Sequence, residues 1–206
     1  MVEFQLLETM RISPSGTIDL LDRHLNRLKK STDYFGFRFD LVHAQKIIQG
    51  LSYSGSAAGC VRLTLSSDGT ASIQVQPMPV GYVERLKLSG IRVDSKNPLL
   101  YHKTTNREIY DAARRECDSR TDAILMNELG EITETTIMNV AVFRENRWVT
   151  PSLTSGLLPG IMREELLSRG EIVEGRIYAK DLQDGELVRC FNALRGVFDV
   201  ALSRTL

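Results

Sequence analysis

Residues 60–79 read CVRLTLSSDGTASIQVQPMP, and their reading decides how the rest of the chain is parsed. Apolar and polar residues alternate through CVRLTLS, Ser67-Asp68-Gly69-Thr70 turns the chain, and ASIQVQ alternates back. Asp-Gly between two alternating runs predicts a β-hairpin. Pro77 and Pro79 then remove two backbone donors within three positions, which ends the second strand and opens a linker. A domain boundary is expected there, with a first domain over 1–78 and a second over 79–206.

Upstream, EFQLLET (3–9) reads as a strand and ISPSGTID as a turn cluster. Asp19 or Asp22 is expected to cap a following helix, in which Leu21, Leu25 and Leu28 recur at i, i+4 and i+7. His24, Arg27 and Lys29 fall off that stripe, and Gly36 is the expected stop. A second helix is expected from about Asp40 to Gly50. Downstream, RLKLSGIRV reads as a strand, DSKNPLLYHK as a loop and TTNREIYDAARRE as a helix. DAILMN reads as a buried strand, and one long strand is expected over 132–143. GLLPG leads into a helix, IMREELLSR, and the chain closes on strand, short helix and strand. Strands and helices in mixed order, with hairpins, place the fold in the α/β or α+β class.

The 206 residues carry 26 Lys+Arg and 26 Asp+Glu, so no charge excess argues for nucleic-acid binding. Hydrophobic content of 42% argues against disorder. Cys60, Cys117 and Cys190 are odd in number and share no CxxC spacing, which predicts reduced thiols and no zinc site. His24, His43 and His102 are too scattered for a local metal motif. No apolar run approaches the ~20 residues that span a bilayer, and no leader pattern opens the chain, so a cytoplasmic protein without membrane partners is expected.

Four features can carry chemistry. Gly160 opens an amphipathic helix, whose first N–H groups suit a phosphate, although an ordinary glycine-led helix start reads the same. Arg27 lies beside Leu25 and Leu28 at a core edge, where it would clamp a phosphate or cover a solvated helix face. Lys103 follows the mostly apolar Pro98–His102; desolvation there would favour the free amine, while a snorkelling surface lysine is the alternative. Glu134 sits in a Thr- and Ile-rich strand, either water-facing or as the buried partner of a cationic heterocycle. An amine, a carboxylate, an arginine and a helix start are together what pyridoxal phosphate requires.

The segments HLNRL (24–28), HKTTNR (102–107), EITE (131–134), GLLPGIMR (156–163) and NALRG (192–196) resemble those of the class IV aminotransferase family. These are the fold-type IV pyridoxal-phosphate enzymes, and the five segments stand here in the family's order. The resemblance implies a two-domain D-amino-acid-aminotransferase-like fold. Its small N-terminal α/β domain would precede a larger pseudobarrel-like domain carrying Lys103, Glu134 and the phosphate loop, with pyridoxal 5′-phosphate between the two. It also implies residue roles. Lys103 would form the Schiff base and Arg27 would bind phosphate. Glu134 would face the pyridine nitrogen, Ile161 and Met162 would give backbone N–H groups to the phosphate, and Asn192 would lie on the phosphate-side loop. Met162 stands where many relatives carry a hydroxyl, so phosphate binding would lean on backbone and Arg27. Arg107 and Arg195 are candidates for substrate carboxylates or surface positions.

Within the family, HKTTNR, TETT, GLLPGIMRE and FNALRG look most like aminodeoxychorismate lyase, which converts 4-amino-4-deoxychorismate to 4-aminobenzoate and pyruvate on the way to folate. A branched-chain or D-amino-acid type transaminase is the alternative. Relatives usually carry a further N-terminal segment ahead of the strand matching Phe4–Thr9, whereas this chain starts almost at that strand. That difference motivates a third reading, a non-catalytic member. A small amino substrate and a homodimer are expected by resemblance.

Overall fold

Alternating burial builds the first sheet of the computed structural model, which describes residues 4–53, 55–81 and 83–204. Strand β1 (Leu6–Ile12) pairs antiparallel with β2 (Gly59–Leu65), and β2 pairs antiparallel with β3 (Ala71–Pro77), the expected hairpin. Side chains two apart share a face. Leu6, Met10 and Ile12 therefore join Val61, Leu63 and Leu65 in a core closed by Leu25 and Leu28 of α1 (Leu21–Phe35) and Ile48 of α2 (Leu41–Gln49). The same period puts Glu8 on that core face.

The helix ends follow local chemistry. Asp40 caps α2, its carboxylate accepting from the His43 N–H at 2.9 Å. Gly36, at φ 70°, ends α1. Neither Asp19 nor Asp22 caps α1: Leu20 occupies the cap with φ 55° and no side-chain bond, and Asp22 lies in the first turn, facing the positive helix end.

The stretch 103–105 departs from expectation. The Leu7 N–H donates to the Lys103 carbonyl, and the Thr105 N–H to the Gln5 carbonyl, both at 2.9 Å. Thr104 and Thr105 thus extend along the outer edge of β1, and α3 starts only at Glu108 (Glu108–Arg115). Two compact units result: Met1–Val80 with His102–Asn106, and Gly81–Tyr101 with Arg107–Leu206. Lys103 belongs to the first unit, not to the larger one as expected, because β1 holds its backbone.

The second unit is an eight-stranded sheet. Its strands are β4 (Arg85–Val93), β5 (Thr121–Asn127), β6 (Ile132–Thr135), β7 (Asn139–Arg144), β8 (Arg147–Pro151), β9 (Ile172–Gly175), β10 (Leu187–Asn192) and β11 (Gly196–Leu202). Their order is β6-β5-β4-β11-β10-β7-β8-β9. The Ile132 N–H donates to the Ile177 carbonyl at 2.8 Å, so the β6 edge meets the chain following β9 and the sheet curls. Every residue of β5 is buried. Ala123 and Leu125 pack with Ala113 of α3, while Ile124 and Met126 pack with Ile132, Val140 and Val188 inside the curl. Helix α4 (Ile161–Ser168) packs on Ala141, Ile172 and Phe191.

The strand expected over 132–143 is two strands. Thr135 Oγ1 accepts from the N–H groups of Ile137 and Met138, at 3.3 and 3.0 Å, and lifts residues 136–138 out of the ladder. Glu134 stands just before that break and Asn139 just after it. Among the described residues, no helix is long and apolar enough to cross a membrane.

Candidate functional site

Lys103 is half-buried on its β1-bound segment. Beside it, His102 Nδ1 lies 2.9 Å from Ser31 Oγ, the ring packs 4.5 Å from Tyr34, and burial pushes its pKa down. Arg27 follows His24 by three positions on α1, so both face β1. There they meet Glu8, which is 1% exposed. Arg27 donates from Nε to Oε1 at 2.8 Å and from Nη2 to Oε2 at 2.7 Å, while the His24 Nδ1–H donates to Oε2 at 2.7 Å. Burial alone would push the Glu8 pKa up. The Arg27 guanidinium and the His24 ring outweigh it and hold it at about 2.

Glu134 is buried in the second unit, and three donors converge on it. The Tyr110 hydroxyl and the Leu158 N–H donate to Oε1 at 2.8 and 3.0 Å, and Asn139 Nδ2 donates to Oε2 at 3.1 Å. Burial, then the nearby Glu134 charge, pushes the Tyr110 pKa well up, so the phenol stays a donor. Asn139 Nδ2 also donates to the Leu158 carbonyl at 3.0 Å. Leu158 leads through Gly160 into α4, which starts without a side-chain cap. Ile161 and Met162 are its first residues; the Met162 side chain packs into the cluster beneath the helix, leaving its backbone for any role at the helix start.

The remaining candidates gather around the break between β6 and β7. Arg107 Nη2 donates to the Thr136 carbonyl at 2.6 Å, and Asn192 Nδ2 to the Ile137 carbonyl at 3.1 Å. Asn192 Oδ1 accepts from the Leu194 and Arg195 N–H groups, and Arg195 Nη1 donates to the Gly81 carbonyl at 2.8 Å. The structure thus brings Glu134, Ile161 and Met162 together through Asn139 and Leu158, and Arg107 and Asn192 through residues 136–137. Arg27 and Lys103 lie in the first unit. Sequence reasoning passed over Glu8, Tyr110 and Asn139. The period-two register of β1 carried a signal for Glu8; Tyr110 and Asn139 gave none without the fold.

The match to known proteins decides the family. The model for amino-transferase class IV matches residues 5–202. The chain belongs to the class IV aminotransferase family. This is a family of pyridoxal-phosphate-dependent enzymes, as the resemblance implied. The chain is 35% identical over 211 residues to a Schizosaccharomyces pombe protein provisionally named aminodeoxychorismate lyase, covering 96% of this chain and 89% of that one. A crystal structure from Mesorhizobium loti, provisionally named an amino-acid aminotransferase, superposes with a TM-score of 0.88 at 37% identity, covering 97% of this chain and all (100%) of that one. A Thermotoga maritima structure, provisionally a branched-chain amino acid aminotransferase, gives 0.83 at 26% identity, covering 97% and 77%. The mixed α/β fold of this class IV chain is theirs.

Proposed function

We propose that the chain is a pyridoxal 5′-phosphate-dependent aminodeoxychorismate lyase, converting 4-amino-4-deoxychorismate to 4-aminobenzoate and pyruvate. The observation that carries the cofactor reading is Glu134, a carboxylate 6% exposed, held by three donors and tied to the start of α4. Hydrogen-bond donors to a carboxylate favour its ionised form, which suits a protonated ring nitrogen. The helix start fits a phosphate: it has no side-chain cap, and a Cβ added to Gly160 would stand 1.9 Å from Asn139 Oδ1, so only glycine keeps the approach open. The lyase reading is supported by the likeness to the S. pombe relative along 96% of the chain. The M. loti likeness favours an amino-acid transaminase as the second reading.

In this reading Lys103, Arg27, Glu134, Asn192 and the N–H groups of Ile161 and Met162 hold the cofactor, and Arg107 and Arg195 are assigned to substrate carboxylates. When bound, pyridoxal phosphate supplies a sink for the electron pair left when a substrate C–H bond breaks. Lys103 Nζ, as the free amine, accepts that proton. Glu134 would hold a proton on the ring nitrogen. Lys103 and Glu134 serve lyase and transaminase alike, so the residues facing the rest of the substrate set the outcome. A homodimer belongs to the same reading by resemblance.

The test is an absorbance titration of the full chain with pyridoxal 5′-phosphate, repeated on Lys103→Ala, followed by assay for 4-aminobenzoate and for keto acid. A long-wavelength band lost in the variant, with 4-aminobenzoate formed, is the expected result. A band with keto acid alone would transfer the assignment to a transaminase. No band at excess cofactor would overturn the cofactor reading in favour of a non-catalytic member.

A further inference from the structure

Asn139, the first residue of β7, is 4% exposed and spends its side chain on two places at once. Nδ2 donates to Glu134 Oε2 at 3.1 Å and to the Leu158 carbonyl at 3.0 Å, while the Leu158 N–H donates to Glu134 Oε1 at 3.0 Å. The three residues close a ring of hydrogen bonds. Both Nδ2 protons meet acceptors, which fixes the orientation of the amide. Its Oδ1 then faces Gly160, at the place where any Cβ would collide with it. One amide therefore sits wedged between the Glu134 carboxylate and the chain entering α4. Neither can shift without pulling the other.

We infer that Asn139 is a positioning residue that couples the Glu134 carboxylate to the N-terminus of α4, so that one side chain sets the partners of both the ring nitrogen and the phosphate. The inference rests on the pyridoxal phosphate reading and adds a specific claim to it: a change at either end is felt at the other. An asparagine with only a structural role would move the melting temperature. A coupling residue moves the discrimination between phosphorylated and unphosphorylated ligand and the absorbance of the bound cofactor.

The experiment titrates the full chain with pyridoxal 5′-phosphate and with pyridoxal, recording affinity, absorbance maximum and melting temperature. Glu134→Gln should shift the maximum and, through Asn139, also lower the affinity ratio of the two ligands. Asn139→Ala should shift the maximum in the same direction and lower that ratio on the order of 10-fold, the scale of a lost hydrogen bond to a charged group. Gly160→Ala touches no atom of Glu134, yet should shift the maximum by displacing the Asn139 amide. Its effect should largely vanish on an Asn139→Ala background, as coupled neighbours require. An unchanged ratio in a folded Asn139→Ala protein, or strictly additive effects in the double variant, would overturn the coupling while leaving the cofactor reading intact. Should Asn139→Ala fail to fold, Gly160→Ala alone decides: an unmoved maximum sinks the inference. A wild-type chain showing no band overturns both.

Discussion

Glu8 and Glu134 are both buried glutamates on strands, one in each unit, and they are held in opposite ways. Glu8 receives two basic side chains, Arg27 in a two-pronged grip and His24 beside it. Glu134 receives a phenol, a side-chain amide and a backbone N–H. A guanidinium cancels the charge it touches; a phenol, an amide and a backbone N–H orient a charge. The first arrangement ties α1 to β1 and fixes the position of Arg27. The second presents a carboxylate of fixed orientation, which is what a site needs.

The largest test of that contrast is Glu8→Ala. It removes the shared acceptor of Arg27 and the buried His24 and should destabilise the chain by about 3–5 kcal/mol in chemical denaturation. A loss below about 1 kcal/mol would make the two glutamates equivalent. Acid sharpens the same point. The Glu8 pKa falls from 4.5 to about 2 on folding, so its contribution is complete above 4.5 and disappears as pH drops toward 2. That interval is worth about 3 kcal/mol at this fully buried group. Denaturation curves between pH 5 and pH 2 should show the loss in the wild type and a flatter profile in Glu8→Gln.

Tyr110→Phe probes the other glutamate more gently. It deletes one donor to Glu134 and should cost about 1–2 kcal/mol. A cost as large as that of Glu8→Ala would mean that Tyr110 does more than donate. The smallest effect belongs to Lys29→Ala, on the same helix as Arg27. The Lys29–Asp33 pair is 44% and 62% exposed, and its loss should change stability by less than about 0.5 kcal/mol.

What could be read from sequence was local. The hairpin around Asp68-Gly69, the helix start near Asp40 and the Gly36 stop each depend on a few adjacent residues, and all three stand in the structure. What could not be read depended on partners far along the chain. The grip of Arg27 on Glu8 spans 19 residues and needs a helix face and a strand face in register. Thr104 and Thr105 read as helix because nothing nearby in the sequence shows that β1 takes their hydrogen bonds. The break after Glu134 arises from Thr135 bonding to its own backbone, a competition that an Ile- and Thr-rich pattern hides. The candidate lysine, glutamate and helix start were legible as residue types. Their supports, Glu8, Tyr110 and Asn139, became visible only with the fold.

The attachment of residues 103–105 to β1 also bears on biosynthesis. Gln5 and Thr105 are 100 positions apart. At a ribosome the hairpin and both first helices emerge well before the segment that completes their sheet. Part of the outer edge of β1 then waits unpaired, and an unpaired edge invites strangers. The nascent chain is therefore most exposed to misassociation between synthesis of β3 and synthesis of Lys103. That interval is when a chaperone would have most to protect.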